Sequence, residues 1–191
     1  MKNVIILGAS GNIATHVIKL LLDSDKLNLT LFLRKKSRLQ IKDASQCCII
    51  EGDVLNYEQL KAAIVGQDIV YANLSGELEA MSKNIVKAMY ETEVKKLIFI
   101  SSISIYDVPL RSVLIPYRRA ADVIEVSGLE YTNLRPTWFT NTDEVDYEIT
   151  RKGEPEKGSV ISQKSLATFI TKIIETPEKY RRENLGINKP E

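Results

Sequence analysis

Asn3-Val4-Ile5-Ile6-Leu7-Gly8-Ala9-Ser10-Gly11-Asn12-Ile13-Ala14 holds a strand, a turn and the start of a helix in twelve residues. Val4 to Leu7 is continuously apolar, the pattern of a strand buried on both faces. Gly8 closes it, and Ile13, Val17, Leu20 and Leu21 then recur at helical spacing from Asn12 to Leu22. In that setting each small residue has a use. Gly8 permits a tight turn, Gly11 lets backbone approach a pyrophosphate, and Ala14 lets the helix pack close to the strand. The first-turn amides and the helix dipole then face an anion. Gly8, Ser10, Gly11, Asn12 and Ile13 are therefore candidate contacts to a dinucleotide.

The same rhythm continues outward. Strands are expected at Leu29–Leu33, Cys47–Ile50, Asp68–Ala72, Lys96–Ile100 and Tyr131–Leu134. Helices are expected at Asn56–Ile64, Glu77–Tyr90 and Val113–Val126, the last stopped by Ser127-Gly128. Alternating strands and helices predict an α/β fold, a doubly wound parallel sheet of the Rossmann type with right-handed crossovers. Beyond Thr137 the pattern loosens. Short strands are expected at Asp143–Ile149 and Gly158–Ile161, a helix at Ser165–Ile174 and a last strand at Asn184–Ile187. The reading is one domain, 1–191, in which residues 137–191 form a small cap toward a substrate or partner.

Composition narrows the function. With 26 Lys+Arg against 25 Asp+Glu, the net charge of +1 gives no global field for nucleic acid or an acidic membrane. No apolar run reaches the ~18–20 residues needed to span a bilayer. The segment before Gly8 is too short and strand-like for a signal peptide, so a cytoplasmic location is expected. Cys47 and Cys48 are adjacent, a spacing that suits neither a zinc site nor an ordinary disulfide, and read as small buried residues of a strand. The single histidine, His16, falls in the first helix and reads as a surface or packing residue, and no metal site is expected.

Strand two ends Leu33-Arg34-Lys35-Lys36. A carboxylate at this point would accept from the ribose 2′-hydroxyl of NAD, whereas an arginine pairs with a 2′-phosphate. No acid is present there, so Arg34, with Lys35 or Ser37 assisting, favours NADP(H) over NAD(H). A solvated basic loop would have the same composition.

Gly8-Ala9-Ser10-Gly11-Asn12-Ile13-Ala14 has the spacing G-x-x-G-x-x-A. With Gly52-Asp53-Val54, Asn73-Leu74-Ser75-Gly76, Ser101-Ser102 through Tyr106, and Ser127-Gly128-Leu129-Glu130-Tyr131-Thr132 running into Leu134-Arg135-Pro136, the chain resembles the short-chain dehydrogenase/reductase superfamily. More narrowly it resembles the atypical, NmrA-like NAD(P)H-binding branch, over essentially its whole length. The resemblance implies that Asp53 and Val54 border adenine, that Asn73, Leu74 and Ser75 line the path from ribose to nicotinamide, and that Pro136 and Thr137 flank the nicotinamide. Asp53 read alone also suits a turn or helix cap, and Asn73 and Ser75 suit turn formers.

The superfamily's proton chemistry implies a serine, a tyrosine and a lysine four residues after that tyrosine. The i, i+4 spacing puts phenol and ammonium on one helix face and lowers the phenol pKa. Ser102 matches the serine and Tyr117 the tyrosine, but Ala121 stands where the lysine belongs. Arg118 and Arg119 project away from the Tyr117 face. Two functions remain open. One is a reductase passing hydride from NADPH to a quinone, flavin or activated carbonyl, which needs little acid from the protein. The other is a non-catalytic NADP(H) sensor that presents Trp138, Phe139 and the Asp143–Tyr147 stretch to a protein partner.

Overall fold

Strand β1, Lys2–Leu7, buries Val4 and Ile6 on one face and Ile5 and Leu7 on the other, all four fully. A strand so placed is internal, and two layers of helix are built around it. The computed structural model describes residues 1–42 and 44–191; Asp43, within the polar stretch that follows strand two, lies outside the described residues. The chain continues as α1 (Asn12–Leu21), β2 (Leu27–Leu33), β3 (Cys48–Glu51), α2 (Tyr57–Ile64) and β4 (Ile69–Ala72). It then forms α3 (Leu78–Glu91), β5 (Lys96–Ile100), α4 (Ile115–Glu125) and β6 (Glu130–Pro136). Last come β7 (Trp138–Thr140), β8 (Glu148–Arg151), β9 (Val160–Ser162), α5 (Gln163–Glu175) and β10 (Glu183–Asn188).

Eight strands form the main sheet in the order β3-β2-β1-β4-β5-β6-β10-β8, parallel throughout except for β8, which runs antiparallel to β10. Helices α1 and α5 cover one face, packed through Val17, Ile18, Phe169 and Ile170 onto Val4, Ile6 and Leu31. Helices α2, α3 and α4 cover the other, through Leu60, Ile85 and Ile124. The doubly wound α/β expectation holds. Chain order reverses between β1 and β4, and the crevice at such a reversal, outside the carboxyl ends of the strands, is where ligands bind in this architecture. No helix among the described residues is long and apolar enough to cross a membrane.

The C-terminal third differs from expectation in detail. Of the Asp143–Ile149 segment only Glu148 and Ile149 are strand, because β8 begins at Glu148. The Ser162 and Ser165 hydroxyls donate to the Glu144 carbonyl at 2.8 and 3.1 Å, and the Asp146 N–H donates to Ser165 Oγ at 3.0 Å. Side chains thus satisfy the backbone that a strand partner would have taken. Residues 137–191 also contribute more than a cap: β10 and β8 extend the main sheet, and α5 supplies half of one core layer. Only β7 and β9 pair away from it, parallel to each other. Cys48 is exposed and Cys47 half-buried, correcting the expectation of burial, because β3 is an edge strand.

Candidate functional site

A cleft of about 150 Å³, open to solvent, lies at the carboxyl ends of β1, β2, β3 and β4. Its floor is the glycine loop. Gly8 has φ +79°, and a Cβ there would collide with the Asn73 carbonyl. At Gly11 a Cβ would lie 2.5 Å from Asn73 Nδ2. Asn73 therefore braces the loop from below as well as lining the cleft. The Gly8 and Ala9 N–H groups both donate to the Phe32 carbonyl, at 3.0 and 3.2 Å, which ties the loop to β2.

Helix α1 starts on this loop without a side-chain cap and with no acidic residue in its first turn. Contrast α2, whose Asn56 side chain accepts from the Gln59 N–H, and α5, capped by Ser162. A helix start left open toward a cleft offers amide donors and positive dipole to an anion. Gly8, Ser10 and Gly11 line the cleft; Asn12 is exposed in the first turn beside it, and Ile13 is 4% exposed in the core, so only its backbone can contribute.

The second wall comes from the ends of β2 and β3. Arg34, Lys35 and Arg38 line it, and all three are exposed. No ion pair engages them among the described residues. Ser37 is not part of the lining; Arg38, brought round by a single tight turn at Lys36–Arg38, takes its place. Sequence reasoning missed Arg38, although its i+4 spacing from Arg34 was a usable signal. The Lys36 N–H donates to Glu51 Oε1, which fixes this turn against the end of β3.

Opposite stand Gly52, Asp53 and Val54. Gly52 is pressed against the Phe32 ring, where a Cβ would meet Cζ at 2.6 Å. Asp53 makes a local turn: Oδ1 accepts from the Leu55 N–H at 2.9 Å, and its own N–H donates to Gln59 Oε1 at 3.1 Å. Oδ2 has no hydrogen-bond partner among the described residues, so turn former and ligand acceptor are compatible roles. The Val54 carbonyl accepts from Asn84 Nδ2 at 3.0 Å, leaving its side chain to border the cleft. Leu74 and the exposed Ser75 complete the lining, and Asp53 is the single acid among the lining residues.

Pro136, Thr137, Ser102 and Tyr117 lie outside this lining. Pro136 ends β6 and accepts from the Ile103 N–H at 3.1 Å; Thr137, 4% exposed, donates its N–H to the Ile187 carbonyl at 3.2 Å. They continue the rim along which Asn73 follows β4 and Ser101 follows β5. Ser102 and Tyr117 are half-buried, and no hydrogen bond joins them. Ala121 is fully buried against Ile105 and Leu114, so nothing charged replaces the absent lysine. The neighbouring cations are engaged elsewhere: Arg118 with Asp122 at 2.8 Å and over the Tyr106 ring, Arg119 with Glu79 at 3.4 Å. Tyr106 points away from the cleft, its hydroxyl bonded to Glu125 at 2.6 Å; burial, then that bond, raise its pKa above the ordinary phenol value. His16 is exposed on α1, as expected of a surface residue.

Known proteins share this fold. A Rossmann-fold NAD(P)-binding family protein from Shigella flexneri is 50% identical, with a TM-score of 0.93 over 100% of this chain and 94% of that one. A short-chain dehydrogenase/reductase from Veillonella parvula, solved in complex with NADP, is 28% identical, with a TM-score of 0.89 over 99% of this chain and 95% of that one. Protein YmjC of Escherichia coli K12 is 51% identical over 39 residues, 20% of this chain and 65% of that short relative. The family model described as NAD(P)H-binding matches residues 8–177, from the first glycine of the loop to the residue after α5 and one beyond. With an uncapped helix start, a glycine loop pressed on β4 and a cleft at the point where strand order reverses, the chain belongs to the NAD(P)H-binding family.

Proposed function

We propose that the protein is an NADP(H)-dependent reductase of the atypical short-chain type, passing hydride to an acceptor that needs little acid–base help. The observation that carries this reading is the trio Arg34, Lys35 and Arg38 on one wall of the cleft, exposed and facing no lining acid but Asp53. A 2′-phosphate set among them gains charge-assisted hydrogen bonds that a 2′-hydroxyl cannot form. In this reading the open amides of α1 take the pyrophosphate, Asp53 Oδ2 accepts from the adenine amine, and Pro136 and Thr137 border the nicotinamide. When bound, the reduced cofactor supplies hydride. This chain's residues orient it, and the proton comes from solvent, since Tyr117 has no cation beside it. Quinones, flavins and activated carbonyls suit such a site. A reducing cytoplasm would keep Cys47 and Cys48 as thiols.

Titration calorimetry with NADPH and NADH, followed by NADPH oxidation against a panel of those acceptors, tests both halves. NADPH should bind about tenfold more tightly or better, a difference of ~1.4 kcal/mol. Tight NADPH binding without turnover on any acceptor would defeat the reductase half and favour a sensor.

A further inference from the structure

The face of β6, β10 and β8 opposite α5 carries polar groups in place of a core. Asn133 and Arg135 lie on it from β6, and the strand register sets Gly186 beside Arg135 and Thr150 beside Gly186. Arg135 is 2% exposed. Its Nε donates to Asn184 Oδ1 at 2.7 Å and one terminal nitrogen pairs with Glu156, but Nη2 has no partner among the described residues. Thr150 Oγ1 and both polar side-chain atoms of Asn133 are also buried and unpartnered. Native folds keep few such groups. A Cβ on Gly186 would lie 2.5 Å from Thr150 Oγ1 and 3.7 Å from Arg135 Nη2. The glycine is not in the left-handed region; its missing side chain makes room for Thr150 Oγ1, with Arg135 Nη2 beside it.

Glu156 enters this cluster from outside. Lys152 to Pro155 and Lys157 are exposed, while Glu156 alone turns inward. One carboxylate oxygen takes Arg135 and the other accepts from the Ser104 N–H at 2.8 Å, two residues beyond Ser102. We propose that the buried polar cluster around Arg135 is a carboxylate-binding subsite, occupied at rest by Glu156 and offered to the carboxylate of an acidic acceptor when the 152–159 segment lifts. In naming an acceptor it rests on the reductase reading; the capture of a carboxylate does not.

The chemistry favours a monoanion. Exchanging one carboxylate for another leaves the charge of the cluster unchanged, so no step buries an unpaired ion. A dianion would add charge near Glu125, which already accepts from Tyr106 and Asn184. The guanidinium offers the planar fork that carboxylates fit, and Thr150 and Asn133 supply the remaining bonds.

Sodium acetate is the probe, and melting of the full chain is the readout. Glu156→Ala should lose stability and regain it saturably with acetate, as ligand binding to the folded state requires, but not with chloride at equal ionic strength or with acetamide. Adding Thr150→Val should weaken that recovery, although alone it removes no hydrogen bond and should not lower the melting temperature. If Glu156→Ala does not fold, wild-type protein serves: acetate displacing Glu156 should speed tryptic cleavage after Lys157, whereas chloride should not. Equal responses to acetate and chloride, or none in either assay, would overturn the subsite and leave Glu156 a structural clasp. NADPH affinity measured on the same samples reports on the reductase reading separately.

Discussion

Lys96 opens β5 at the end of the sheet away from the cleft and is 4% exposed. Its ammonium donates to Thr132 Oγ1 at 2.8 Å and reaches the Lys179 carbonyl at 3.5 Å, with no carboxylate in ion-pair range among the described residues. Burial outweighs the attraction of Glu130 and pushes its pKa down to about 8 from the ordinary 10.5. The unfolded chain therefore holds this proton over a range where the folded chain has released it, and stability rises with pH between those values. The gap amounts to about 3 kcal/mol in all. From about pH 7 to about pH 10 roughly 2–3 kcal/mol of it should be recovered, a melting rise of ~5–10 °C for a domain of this size. Above that range Tyr57, raised to about 12, and the buried Tyr71 and Tyr106 act in the opposite sense, because the folded state keeps their protons longer. Lys96→Met keeps the length of the side chain and leaves Thr132 bonded to the Tyr180 carbonyl at 2.8 Å. Thermal or urea melts of both proteins at matched pH are the assay, and the variant should be nearly flat up to about pH 10. Parallel curves for the two proteins would refute the assignment.

Arg34→Glu should weaken NADP(H) about tenfold or more, from a lost charge-assisted bond of roughly 1.5–3 kcal/mol, and leave NAD(H) nearly unaffected; equal loss for both cofactors would remove Arg34 as the selector. Gly11→Asp puts a Cβ against Asn73 Nδ2 and a charge before the open amides of α1, so NADPH binding should fall in calorimetry while circular dichroism stays native; unchanged affinity would take the cofactor off this loop. Tyr117→Phe should slow turnover less than about tenfold, and a fall of about a hundredfold would mean that the phenol is a working acid despite Ala121. Tyr71→Phe removes a buried hydroxyl that has no partner among the described residues and should leave the melting temperature level or higher; a drop of several degrees would reveal a bond to an ordered water.

What could be read in the residues was what short-range physics decides. Val4 to Leu7 is too apolar for a one-faced strand, and a glycine pair before a helix has few other uses, so the first half of the sheet and the cleft floor followed from pattern alone. Arg38 was missed because the turn at Lys36–Arg38, held by Glu51 from another strand, brings it round. The β7–β9 pairing joins three-residue segments about twenty positions apart, too short to show alternation. The serine clasp on Glu144 depends on α5 being docked. The polar cluster was invisible for the same reason: Asn133, Arg135, Thr150 and Gly186 are unremarkable until three strands set them side by side.

The place of β10 has a bearing on how the chain is made. The last strand of the sheet to be synthesised is not at its margin but between β6 and β8. Every residue of the cleft lining precedes position 82, so a ribosome will have delivered the whole nucleotide half long before the sheet can be completed. Until Glu183–Asn188 arrive, β6 stands as a bare edge, with its backbone donors and acceptors on that side unmet and Leu134 without its neighbour Leu185. Such an edge is a template for wrong pairing with other chains. The nascent protein is thus exposed to wrong pairing until β10 has emerged, and a stop codon that spared the entire cleft but removed β10 would yield a chain prone to aggregate.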